Sequence, residues 1–172
     1  MVFPYLKGFY IILRIFHLME TALRTYDSVT AAKYLMALAF KKGIVLNVTK
    51  VQKMLFIAYG YFLSKYDHPL LKEAPRAWPY GPVFPKTRKE IDFGKIITTD
   101  DPDLQEIAQD EAVTQTFERI IDKYSRYTAS QLSDWSHMTG SPWHRTTRLQ
   151  NFDWNHPIPN QFIKDYFSEV HV

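Results

Sequence analysis

Cysteine is absent from the 172-residue sequence, and glycine occurs only six times. A chain without cysteine forms no disulfide, no thiolate metal site and no cysteine nucleophile, and it suits a reducing cytoplasm. The sequence also lacks the glycine-rich phosphate loop, the dinucleotide-binding fingerprint and the nucleophile elbow of common enzyme classes. Repeats and low-complexity tracts are missing as well. These absences predict a cytoplasmic protein that is not an enzyme and needs no cofactor.

Charge is not concentrated in any long stretch of the chain. The net charge is only +3, whereas a dedicated nucleic-acid-binding domain gathers its basic residues on one face or helix. Two adjacent short helices with a basic recognition helix are not present, so we expect no specific nucleic acid among the partners. One small basic group is predicted across two neighbouring helices, either as a solvated face or as a surface for an anionic partner: Lys33, Lys41, Lys42, Lys50 and Lys53.

Aromatic residues, in contrast, are abundant. The chain has 12 Phe, 11 Tyr and 4 Trp within a hydrophobic share of 46%. This composition excludes a disordered or fibrous chain, and the length suits one domain with a proper core. Aromatic side chains fill a core when they are buried and anchor an interface when they are exposed.

The first 18 residues form a separate apolar segment. Its apolar residues are interrupted by Lys7 and Arg14, and it is too short for a membrane span of about twenty residues. It also lacks the cleavage site of a signal peptide, so no membrane is expected among the partners. Two interpretations remain open: residues 1–18 are extra upstream residues, or they are an amphipathic addition that packs on the domain or on a partner. The domain itself is predicted over residues 19–172.

A broad apolar helix is predicted at the centre of this domain. Apolar residues recur at the spacing of one helical face, with a second row beside it: Val48, Val51, Leu55, Ala58 and Phe62, then Met54, Ile57 and Tyr61. A helix that is apolar over so much of its circumference has neighbours on several sides. Thr49 followed by Gln52 fits a capping box, which predicts that the helix starts at this point.

The rest of the chain predicts shorter elements around that helix. Residues 69–85 carry five prolines, which indicates an ordered loop or a small hairpin with residues 70–71 on one side and 77–78 on the other. Gly81 can take a positive φ in its turn, and Pro85 suits the first position of a helix. Further helices are expected over residues 28–42, 86–93, 111–124 and 129–138, and after Pro159. The predicted fold is mainly α, a single compact helical domain with a central apolar helix and a short proline-rich loop or small β-hairpin.

Three motifs in this order carry a resemblance to a known family. They are Thr-Lys-Val-Gln-Lys-Met-Leu-Phe at residues 49–56, Ala-Trp-Pro-Tyr-Gly-Pro-Val at residues 77–83, and Leu-Ser-Asp-Trp-Ser-His followed by Ser-Pro-Trp within residues 132–143. Over about residues 28–168 the chain resembles the Panacea domain, the SocA-like phage-associated family. The departures are mild: Val51 and Met54 replace leucines of the pattern, and Phe56 replaces a tyrosine.

The resemblance implies an antitoxin of a toxin–antitoxin system, of the kind carried on mobile elements and prophages. Such a protein neutralises a cognate protein toxin by direct contact; the alternative is an adaptor that delivers the bound toxin to a protease, with a protease or chaperone as a further partner. Stiff loops and exposed aromatics suit such contacts. Core and turn roles remain an alternative for the residues of the second motif. The residues predicted for partner binding are the exposed members of Lys50, Lys53, Trp78, Tyr80 and Phe84.

Other motif residues are predicted to have structural roles. His137 follows Asp134 by three residues, so the two side chains are neighbours on a helix, where a hydrogen bond at the helix end is their ordinary role. A metal site or an acid–base site needs more converging ligands, so no metal is predicted, and a small hydrolase using this pair is the alternative. The residues assigned to structural roles are Thr49, Gln52, Gly81, Pro82, His137, Pro142 and Trp143.

Overall fold

Residues 23–170 are described by a computed structural model, in which short helices surround one long central helix. The predicted N-terminal segment, residues 1–18, lies outside the described residues. The elements follow in the order α1 (Ser28–Lys41), α2 (Val48–Tyr66), β1 (Arg76–Trp78), β2 (Gly81–Val83), α3 (Pro85–Glu90), a 3₁₀ turn (Pro102–Leu104), α4 (Gln105–Ala108), α5 (Glu111–Tyr124), α6 (Ala129–His137), α7 (Pro142–Thr146), β3 (His156–Pro157) and α8 (Asn160–Glu169). The prediction of a mainly α fold is confirmed.

Helix α2 is the centre of the core, as its apolar pattern predicted. It packs against α1, α5, α6 and α8, and ten consecutive residues, 51–60, are buried. Aromatic rings from other elements complete the packing: the Phe56 ring meets the Phe167 ring of α8 edge-on at 5.8 Å. None of the helices within residues 23–170 has both the length and the apolarity needed to cross a membrane.

The start of α2 differs from the prediction. Asn47 is the N-cap, and its side-chain oxygen accepts a hydrogen bond of 2.9 Å from the Lys50 amide. The predicted capping box of Thr49 and Gln52 is therefore wrong. Its physical reason is that the helix begins two residues earlier than a Thr49 cap would allow, while the Gln52 side chain turns away to bind another segment. The capping box at Thr128 and Gln131, which starts α6, does form.

The proline-rich segment contains a small hairpin whose strands differ from those expected. Strands β1 and β2 pair antiparallel, and β3 pairs with the other edge of β1, giving the order β2–β1–β3. The predicted pairing of residues 70–71 with 77–78 is wrong. Leu71 instead bridges Tyr26, whose amide donates to the Leu70 carbonyl at 2.9 Å. Leu70 and Leu71 are both buried, so this bridge ties the entry of α1 to the core.

The helix after the hairpin is shorter than predicted. Pro85 is the first residue of α3, as expected, but the helix ends at Glu90 rather than near residue 93. Ile91 takes an extended conformation and is buried. Burial of this side chain turns the backbone out of the helix before Gly94 is reached.

A close approach between α2 and α8 fixes the position of the last helix. A Cβ atom built on Gly60 would lie 2.2 Å from the ring of Phe167, well inside contact distance. Phe167 is itself buried, so its ring has little room to move. Beside it, the Tyr59 hydroxyl donates a hydrogen bond of 2.8 Å to Asn160 at the start of α8.

We therefore expect Gly60→Ala to destabilise the protein, although alanine favours a helix by about 1 kcal/mol over glycine. Overpacking against the Phe167 ring should cost more than this gain, about 1–3 kcal/mol. Urea unfolding of Gly60→Ala measures the loss. In a Phe167→Leu background the same substitution should cost less, because the clashing ring is gone. An equal cost in both backgrounds would contradict this account of the contact.

Candidate functional site

The turn of the hairpin lies at the surface, and its backbone contacts side chains of the helices beneath it. Tyr80 is 81% exposed, the highest value among the large apolar side chains of residues 23–170. Gly81, which follows it, has a φ of 101°, as predicted. A Cβ atom at Gly81 would lie 2.6 Å from Lys53 Nζ and 2.7 Å from Ser136 Oγ. The second β-strand thus rests directly on side chains of α2 and α6, and glycine is needed here for both conformation and space.

Gln52 binds the backbone at the end of β2. Its Oε1 accepts a hydrogen bond of 2.8 Å from the Phe84 amide, and its Nε2 lies 3.5 Å from the Phe84 carbonyl oxygen. The side-chain amide therefore faces Phe84 as the peptide group of a neighbouring strand would. Gln52 is buried, and a buried amide of this kind requires such partners. Its predicted structural role rests on this contact and not on the helix cap.

Lys53 binds the backbone on both sides of Gly81. Its ammonium donates hydrogen bonds of 2.7 Å to the Tyr80 carbonyl and 3.2 Å to the Pro82 carbonyl. The residue is only 2% exposed, and no carboxylate of residues 23–170 pairs with it. Burial lowers the pKa of Lys53 to about 8 because desolvation penalises the charged form. The side chain is therefore mostly charged at neutral pH, with only neutral oxygens around it.

The third motif holds the opposite side of the hairpin. The Trp143 indole N–H donates to the Trp78 carbonyl at 2.8 Å. Ser141 caps α7 and donates to the Ser136 carbonyl at 2.8 Å, which fixes the turn between α6 and α7. The His137 ring meets the Trp143 ring edge-on at 4.2 Å. All three motifs thus converge on the same hairpin.

His137 does not pair with Asp134 as the helical spacing suggested. Its Nδ1 lies 2.7 Å from the Ser133 carbonyl oxygen, whereas Asp134 is exposed. Within residues 23–170 no group of His, Asp and Glu side chains is arranged to hold a metal ion. The geometry gives the alternative of a hydrolase or metal enzyme at this pair no support.

Aromatic side chains form a surface where the hairpin, the α6–α7 turn and the loop before β3 meet. The Trp154 ring stacks on Trp143 at 6.5 Å and meets the Phe152 ring edge-on at 5.0 Å. Trp154 is 53% exposed and Met138, beside His137, is 58% exposed. The Trp78 indole N–H donates to Asn155 at 3.0 Å. We call five aromatic residues and the neighbouring Met138 the aromatic surface; the five are Trp78, Tyr80, Trp143, Phe152 and Trp154.

Only some of the residues predicted for partner binding lie on this surface. Tyr80 is exposed and Trp78 is partly exposed. Lys50 is half-buried, and its ammonium donates to the Ser125 carbonyl. Lys53 and Phe84 were predicted as candidates for surface contacts, but both are buried, so neither is an exposed member of the set. Their side chains face the core because the hairpin folds back over α2.

The predicted basic group is also incomplete. Lys53 is removed from it by burial, and Lys42 forms an ion pair with Asp122 of α5. Met138, Phe152 and Trp154 were not predicted as contacts: Met138 is the last residue of the helix expected over residues 129–138, and the other two lie in a segment for which no element was expected. Two aromatic residues among polar neighbours at residues 151–155 were the available signal.

These features define a helical domain that presents an exposed aromatic surface on a hairpin fixed from both sides. A comparison with protein families matches residues 51–144 to the family described as antitoxin SocA-like, Panacea domain. This range contains most of the first motif and all of the second and third. The chain belongs to this family, and membership points to an antitoxin role with a toxin as partner.

One curated relative is similar over most of its length. It is Antitoxin SocA of Caulobacter vibrioides (strain NA1000 / CB15N), which is 28% identical over 137 residues, covering 70% of each chain. No solved structure matches the chain.

We expect Gln52→Leu to lower the free energy of unfolding by about 1–3 kcal/mol, since it leaves the buried Phe84 amide without an acceptor. The Phe84 carbonyl keeps its bond from the Arg88 amide, so the loss should stay within this range. Urea unfolding measures it. The control is Gln115→Leu on α5, where the exposed glutamine binds the exposed Glu111 and the change should be under about 0.5 kcal/mol. Equal stabilities of the two variants would contradict the role of Gln52.

Lys53→Met should change the pH dependence of stability. The pKa of Lys53 is about 8 in the folded protein against an ordinary 10.5, so between these values the unfolded chain binds more protons. The free energy of unfolding of the wild type should therefore rise relative to Lys53→Met from pH 8 towards 10.5, by about 1 kcal/mol per pH unit, and should not change relative to it below pH 7. Urea unfolding of both proteins from pH 6 to 10 tests this. A constant difference would show that the buried ammonium is not desolvated.

Proposed function

We propose that this protein is an antitoxin that neutralises a cognate protein toxin by direct contact through the aromatic surface. The observation that carries the proposal is the exposure of Tyr80 and Trp154 on backbone segments that are already fixed. Tryptophan and tyrosine are the side chains that contribute most often to binding energy at interfaces. A surface that is ordered before binding also loses little conformational entropy when the partner arrives.

The small sheet favours contact through side chains over addition of a strand. Gln52 and Lys53 already occupy backbone groups along β2, and β3 has two residues, one of which is Pro157. A partner that adds a strand needs a free edge with unpaired amides. The toxin therefore binds against the face of the aromatic surface.

Of the residues predicted for partner binding, Tyr80 and Trp78 remain direct contacts in this proposal. Trp154 and Met138 join them because they are exposed and adjoin the same hairpin through Trp143 and His137. Lys50 is at most a marginal contact, since its ammonium is used by the Ser125 carbonyl.

The test is rescue of growth when this protein is co-expressed with the toxin encoded by the neighbouring gene. Tyr80→Ala and Trp154→Ala should each weaken binding at least about tenfold and reduce rescue, because each removes an exposed aromatic anchor. The control is Ile96→Ala, which removes an apolar side chain of intermediate exposure (70%, between Trp154 and Tyr80) from a different loop. Tyr80→Ala and Ile96→Ala should unfold at the wild-type urea concentration, whereas Trp154→Ala should lose about 1 kcal/mol of stability with its ring contacts to Trp143 and Phe152 and still be folded in the assay.

Two results would overturn the proposal. Full rescue by both aromatic variants would show that the aromatic surface does not bind the toxin. Protease-dependent disappearance of the toxin, followed by immunoblot, would also overturn it, because the protein would then deliver the toxin to a protease. Neutralisation by contact leaves the toxin intact in a stable complex.

A further inference from the structure

The backbone at the tip of the hairpin depends on one charged side chain. Lys53 holds the carbonyls of Tyr80 and Pro82, the two residues that flank Gly81. These carbonyls belong to the turn and to the outer edge of β2, on which no further strand of residues 23–170 pairs. The hairpin itself pairs only three residues in each strand, and so short a pair is not stable by itself.

The burial of the Lys53 ammonium among neutral carbonyls does little for the stability of the fold. A buried ammonium that meets only neutral carbonyls loses its hydration and gains no opposite charge in return. An apolar side chain of similar length would fill the same space without this cost, and that gain would offset the donor that the Tyr80 and Pro82 carbonyls lose. The lowered pKa of Lys53 agrees with such a cost. The charge therefore serves something other than the packing of α2.

The buried ammonium of Lys53 holds the exposed turn of the hairpin at Tyr80. Tyr80 projects its side chain into solvent, but its carbonyl points down to Lys53 at 2.7 Å. The conformation of the turn, and with it the direction of the Tyr80 side chain, is thus set from inside the domain. On the other strand, Trp143 holds the Trp78 carbonyl in the same manner.

We propose that Lys53 is a positioning residue for toxin binding, whose buried ammonium fixes the Tyr80 turn in its binding conformation at the expense of fold stability. This inference rests on the proposed function. It gives Lys53, which was predicted as a direct contact, an indirect role in the same binding event.

The absence of cysteine from the sequence allows a selective test. Lys53→Cys provides a single thiol, which can be alkylated in the unfolded protein and refolded. Alkylation with 2-bromoethylamine gives a side chain of nearly the length of lysine with its ammonium, whereas 1-bromopropane gives an uncharged chain of similar size. Binding of the toxin encoded by the neighbouring gene is then measured by calorimetry for both products, for Lys53→Met and for the wild type. Hydrogen exchange of the Tyr80 and Gly81 amides is measured in parallel.

We expect the aminoethyl product to bind within about threefold of the wild type, and the propyl product and Lys53→Met to bind at least tenfold more weakly. The uncharged variants should unfold at the same or a higher urea concentration, while their Tyr80 and Gly81 amides exchange faster. If the aminoethyl product binds the toxin as weakly as the propyl product and Lys53→Met do, the inference is overturned, because packing and not charge would then be responsible.

The failures of the two proposals are distinguishable. If the wild type does not bind the toxin, the proposed function falls and the positioning role falls with it. If the wild type binds and Lys53→Met binds equally well, only the positioning role is overturned, and the aromatic surface remains the binding site.

Discussion

The hydrogen bonds from one turn of α2 to the backbone of the hairpin are the constraint on which the geometry of the aromatic surface depends. Gln52 and Lys53 are adjacent in sequence, and both are buried. One faces the end of β2 as a neighbouring peptide group would, and the other holds two carbonyls around Gly81. Side chains of a helix thereby supply the hydrogen-bond partners that a further strand would have supplied to the backbone of β2. The sheet can remain small, and its turn can still carry a fixed aromatic side chain at the surface.

The same contacts explain why the three motifs occur together in one chain. The second motif forms the hairpin. The first motif, on α2, contacts the hairpin through Lys53, and the third contacts it through Ser136 and Trp143. A substitution in the first or third motif removes a hydrogen-bond partner of the second, because side chains of those two motifs bind the hairpin backbone. The motifs are therefore parts of one structural unit and not three independent sites.

The sequence was sufficient for the elements whose signals are local. The helices expected over residues 111–124 and 129–138 agree closely with α5 and α6, and Gly81 and Pro85 marked the turn and the start of α3. Errors arose where a side chain serves a distant segment. Gln52 matched a capping pattern four residues long, but its partner lies 32 residues away.

The candidate site was only partly predictable for the same reason. Lysine is seldom buried without an opposite charge, so Lys53 was assigned to the surface. Nothing in its neighbours along the chain shows that a hairpin closes over it. Trp154 was missed because its place beside the hairpin depends on stacking against Trp143, eleven residues earlier, and not on any periodic pattern.

The contact of Gly60 with Phe167 also bears on how the protein is made. The middle of the central helix is synthesised about a hundred residues before the helix that covers it. Until α8 leaves the ribosome, the face of α2 around Phe56 and Gly60 stays open to water. Completion of the core therefore waits until α8 has been made, and until then the nascent chain carries an unprotected apolar helix that chaperones can recognise.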